Sequence, residues 1–126
     1  MSKRSVYSIL TLFILLFLSA CGGDNKELKK DAKNIADAMC KSIETMNSLR
    51  AANPGDSILV GKLQKDVHNN QIEMTILYDE FKKKYGEKAK TEKFNKEFAR
   101  YLRESMLDCK ALSKEDRKAF EKELSN

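Results

Sequence analysis

Histidine is almost missing from this chain, and that scarcity excludes the most chemistry. A single imidazole, His68, occurs in 126 residues, so neither a His-paired nucleophile nor a multi-histidine metal site can be assembled. There is no Glu-x-x-His pair of the di-iron type, no Cys-x-x-Cys-His haem attachment and no glycine-rich phosphate loop. No catalytic set, metal or cofactor is therefore expected. A haem held by His68 and a methionine is set aside, because Met39, Met46 and Met74 fall on apolar stripes and read as packing. Adjacent acids such as Asp79–Glu80 and Glu115–Asp116 point apart on a helix and read as solvated faces.

Strand signals are also scarce, and proline occurs once, at Pro54. Sheet architectures need alternating patterns and frequent turns, and neither is present. Arginine is outnumbered by lysine, whereas bidentate phosphate recognition favours arginine. Nucleic acid is therefore not an expected partner. The chain has just one long apolar run, "VYSILTLFILLFL" from Val6 to Leu18, which is shorter than the ~20 residues of a comfortable bilayer span.

That run follows Lys3 and Arg4 and ends in small residues, the three-part pattern of a secretory signal. Leu18, Ser19, Ala20 and Cys21 read L-S-A-C, which resembles the lipobox of bacterial lipoproteins over the first 22 or so residues. The resemblance implies a diacylglyceryl thioether on Cys21, cleavage before it, and acylation of the new amino terminus. Cysteine suits that position because a thiolate is nucleophilic enough to take the lipid near neutral pH. Two or three acyl chains anchor stably, at ~0.8 kcal/mol per buried methylene. Gly22 stands where an aspartate tends to retain Gram-negative lipoproteins at the inner membrane. The outer membrane is therefore favoured.

The expected organisation is a signal peptide over 1–20, a lipidated tether over 21–26 and a helical bundle domain over 27–126. The chain holds 24 basic and 19 acidic residues; with Lys3 and Arg4 removed, the basic excess falls to three. Cys40 and Cys109 are the remaining cysteines. Export to an oxidising compartment makes a Cys40–Cys109 disulfide the natural pairing; the alternative is two small buried apolar side chains that never meet.

Helical periodicity runs through the rest. Leu28, Ala32, Ile35, Met39, Ile43, Met46 and Leu49 make one stripe of a first helix from about Asp24 to Ala52. "NPGD" at 53–56 stops it, and Asp56 or Ser57 caps a second helix. The second stripe is Leu59, Leu63, Val67, Asn70, Met74, Leu77 and Phe81, flanked by Ile72, Ile76 and Tyr78, with Gly86 as a C-terminal stop. A third helix, starting near Thr91, carries Phe94, Phe98, Tyr101, Leu102, Met106 and Cys109. Ser113 and Asp116 open a short fourth helix with Phe120 and Leu124. Short connections predict an all-α, antiparallel three-helix bundle with a short C-terminal helix. Helical rise puts Cys40 roughly 18 Å and Cys109 roughly 15 Å below the first turn, level enough for a staple between helices one and three.

In that topology the anchor and the turn "KKKYGEKAK", 82–90, share the membrane end. Lys82, Lys83, Lys84 and Lys88 are the candidate membrane-surface contacts, with Lys26, Lys29, Lys30, Lys33, Lys90 and Lys93 nearby. Anionic head groups would attract each by up to ~1 kcal/mol; the plainer reading is a solvated end with interspersed acids. "VHNNQ" interrupts the second helix. His68, Asn70 and Gln71 are the candidate partner contacts, although Asn70 on the core phase also reads as a buried amide that fixes register. Tyr78, Tyr85 or Tyr101 could anchor a partner, yet each lies close enough to a stripe to be core. The expected function is a non-enzymatic envelope lipoprotein, tethered as a binding or accessory module for an envelope protein. The alternatives are an inhibitor or immunity-type protein for an envelope toxin or hydrolase, and a small-ligand carrier with an apolar cavity.

Overall fold

A computed structural model describes the backbone of residues 3–126 and the side chains of residues 26–126. Leu18, Ser19, Ala20 and Cys21 lie outside the described side chains. Four α-helices follow one another: α1 (Lys3–Ala51), α2 (Ser57–Tyr85), α3 (Glu92–Met106) and α4 (Lys114–Ser125), with a 3-10 turn over Gly86–Lys90 between α2 and α3. No strand occurs among the described residues. Residues 26–126 therefore form an all-α bundle with a short last helix.

Local chemistry accounts for the helix ends. The Asp56 carboxylate accepts from the Leu59 amide at 3.0 Å and so satisfies one of the orphan donors at the start of α2. Thr91 caps α3 through the Phe94 amide, and Ser113 caps α4 through the Asp116 amide at 3.1 Å. The Ser113 hydroxyl in turn donates to the Asp116 carboxylate at 2.7 Å. Gly86 ends α2 with φ +48° and ψ −121°, a backbone state that side chains disfavour.

α1 is the central helix. It packs against both α2 and α3, whereas α2 and α3 meet through side chains, Phe81 lying against Phe94 and Phe98. Small residues face the crowded side: Ala32, Ala36 and Ala38 are all buried. One cluster gathers Leu28, Ala32, Ile35, Phe81 and Tyr101. A second gathers Ala36, Met106, Cys109 and Leu112, with Phe120 of α4 against it.

Two expectations are corrected. Cys109 does not lie on the third helix: α3 ends at Met106, and Cys109 sits in the connection to α4. The staple forms nonetheless, Cys40 to Cys109 with 5.7 Å between Cα atoms, and it ties that connection to α1. Asn47 reaches the same segment, donating to the Ala111 carbonyl at 3.4 Å. The apolar stripes, secondly, are not core along their whole length. α2 spans about 43 Å and α3 about 22 Å at 1.5 Å per residue, so the far end of the α1–α2 hairpin has no third helix beside it. Met46, Leu49 and Leu63 are only half-buried there, and Leu59 is 41% and Ile58 86% exposed.

Candidate functional site

The base of the bundle, where the end of α2 lies against Leu28 and Asp31 of α1, collects charged and aromatic residues. Lys84 on the last turn of α2 reaches back to α1, 2.7 Å from the Asp31 carboxylate and 3.7 Å from that of Glu27. Tyr85 donates its hydroxyl to the same Asp31 oxygen at 2.6 Å. The hydrogen bond from Lys84 to Asp31 holds the lysine pKa above its ordinary value. These contacts clamp the end of α2 to α1 and place the turn that follows α2 beside Glu27 and Asp31.

An aromatic cluster lies beneath. Phe81 stacks at a tilt on Tyr85, Phe94 and Phe98 at centroid distances of 4.8, 5.9 and 4.5 Å, and Tyr85 lies 5.0 Å from Phe94. Two clefts flank this cluster. One, of about 330 Å³, is lined by Leu28, Tyr85, Phe94, Lys88, Lys93 and Glu97 among others. The other, of about 410 Å³, lies between α2 and α3 with Phe81, Phe98 and Tyr78 along it and Lys82 and Lys90 at its edge. Both reach the size of a small-ligand site, but each is open to solvent and mixed in polarity rather than an enclosed apolar cavity. Lys82 lies 4.5 Å above the Tyr78 ring, and Lys90 pairs with Glu87 at 2.8 Å.

The candidate lysines thus divide. Lys84 is engaged within the protein by Asp31 and Glu27, which changes its role from head-group contact to clamp. Lys82 and Lys83 remain exposed at the same end, and Lys88 lines the 330 Å³ cleft. Asp31 stands three residues after Leu28 and four before Ile35, at the stripe edge, and that position is the sequence signal that it faces a neighbour.

His68, Asn70 and Gln71 are not brought together. Asn70 is 5% exposed and donates to the Thr45 hydroxyl at 3.0 Å, so it is an interhelical amide and not a partner contact. A stripe position turns inward; His68 and Gln71, two residues before and one after, stay exposed. Tyr101 is buried, donates to Glu97 at 3.2 Å and carries Arg100 over its ring. Tyr85 is half-buried, but Tyr78 is exposed, contrary to its expected place near the core. Met39 and Met74 pack against the first core cluster. Among the described residues, no group of three or more His, Cys, Asp or Glu is disposed to hold a metal ion, and no helix is long and apolar enough to cross a membrane.

No protein-family model matches this chain, and no curated protein or solved structure matches it either.

Proposed function

We propose that this protein is a lipid-anchored component of the bacterial cell envelope, lipidated on Cys21, favoured at the outer membrane, and acting as a non-enzymatic binding or accessory module. The Cys40–Cys109 disulfide is the observation that carries the reading. Disulfides persist in oxidising compartments and are rare in the cytosol; here the third cysteine of the chain is the lipobox residue. The clamp of Lys84 on Asp31 and Glu27 is consistent with it, because it ties the end of α2 to the part of α1 that lies a few residues after Cys21 in sequence. Anchoring confines the domain to two dimensions and raises its effective concentration for any envelope partner.

The test is mass spectrometry of the amino-terminal peptide from membranes, followed by affinity capture from detergent-solubilised membranes with a Cys21→Ala control. A lipid-modified, cleaved Cys21 and a stoichiometric envelope partner are expected. Normal maturation and membrane retention of Cys21→Ala overturn the anchor. A captured hydrolase or toxin moves the assignment to an inhibitor or immunity-type protein.

A further inference from the structure

We infer that the base of the bundle docks onto an anionic phospholipid surface, so that the lipid anchor holds the domain in one orientation and not merely nearby. The inference rests on the lipid-anchored reading above. Seven residues separate Cys21 from Leu28, which is about 10 Å of helix and at most about 25 Å of extended chain. Leu28 shares a cleft with Lys93, Phe94 and Tyr85, so the 3-10 turn and the start of α3 lie at the height of Leu28. At about 10 Å, one Debye length at ordinary salt, lysine side chains reach the head groups.

The charges at this end sort themselves accordingly. Asp31 and Glu27 are taken by Lys84, Glu87 by Lys90, Asp37 by Lys33 and Glu92 by Lys96. Four lysines thereby face five acids, Lys84 standing between Asp31 and Glu27 and Glu97 lining the cleft beside Lys93, while six lysines, Lys26, Lys29 and Lys30 on α1, Lys82 and Lys83 on α2 and Lys93 on α3, are exposed and outside those pairs. Asp79 and Glu80 lie about one turn further from the base than Lys83. Positive charge is thus left where a negative surface would meet it.

The experiment uses the full protein as purified from membranes, reconstituted in lipid nanodiscs and treated with an amine-acylating reagent, with the rate at each lysine read by mass spectrometry. The two kinds of disc are phosphatidylcholine alone, and phosphatidylcholine with about a third phosphatidylglycerol, enough to impose a negative surface potential. In anionic discs Lys82, Lys83 and Lys93 should label about fivefold more slowly or less, with recovery at high salt. Lys62 and Lys65, at the far end of α2, should label equally in both, and Lys84 should be equally slow in both. Equal basal rates in the two discs overturn docking. The same spectra read Cys21, so the two ideas fail separately. An unmodified Cys21 with slowed basal lysines overturns the anchor and supports docking; a lipidated Cys21 with lipid-independent rates does the reverse.

Discussion

Replacing Cys40 and Cys109 together by alanine should remove a large part of the stability of this domain. The bond closes a separation of 69 residues, for which the chain-entropy relation gives about 4 kcal/mol at room temperature. Cys109 is 4% exposed within a cluster of Ala36, Met106 and Leu112, so loss of its sulfur adds up to about 1 kcal/mol of packing. Against a total of about 5–15 kcal/mol for a domain of this size, the variant should lose a third or more. Its Tm should drop by about 15–40 °C, at 4–8 °C per kcal/mol. Urea and thermal unfolding of the detergent-solubilised protein, followed by far-ultraviolet circular dichroism, measure this directly. The effect should also be local. Without the bond, the segment 107–113 keeps the Asn47 contact to Ala111 and the Arg117 guanidinium on the Leu107 and Cys109 carbonyls. Amides of α4 should then exchange with solvent before those around Phe81. A double variant within about 1 kcal/mol of the wild type refutes the reasoning, because it would mean that the connection is held without the staple.

Asn70→Ala should cost about 1–3 kcal/mol in urea unfolding, because it removes the hydrogen bond to the Thr45 hydroxyl and empties a buried position; in a double-mutant cycle with Thr45→Val the two losses should be less than additive. Gly86→Ala should cost about 1–3 kcal/mol, since φ +48° with ψ −121° strains any side chain even where space is open. Lys84 has its pKa raised above 10.5 by Asp31. Its pairing therefore stabilises the fold fully below the unfolded value and is lost as the pH rises through the folded one. Alkaline titration above pH 10.5 should destabilise the wild type, and Lys84→Met should flatten that part of the profile.

Helix type, order and caps are local properties and were legible in the residues. Periodic apolar positions define α1, α2 and α3, and Asp56, Gly86 and Ser113 mark ends because their side chains, or the lack of one, satisfy or permit terminal backbone geometry. The staple partners followed from cysteine number once export was assumed. The inward turn of Asn70 was legible as well, from its place on the core phase. Tertiary structure alone decided which parts of each stripe are covered, because coverage depends on the relative lengths of helices far apart in sequence. Leu59 and Leu63 carry the same signal as Phe81, yet α3 is too short to reach them. Cys109 could be placed near Cys40 but not off the helix, since the end of α3 at Met106 has no proline or glycine to announce it. Lysines 82–84 read identically in sequence; the fold sets Lys84 on Asp31 and leaves Lys82 and Lys83 facing outward, because a single helical step of 100° separates a residue that faces α1 from one that faces solvent.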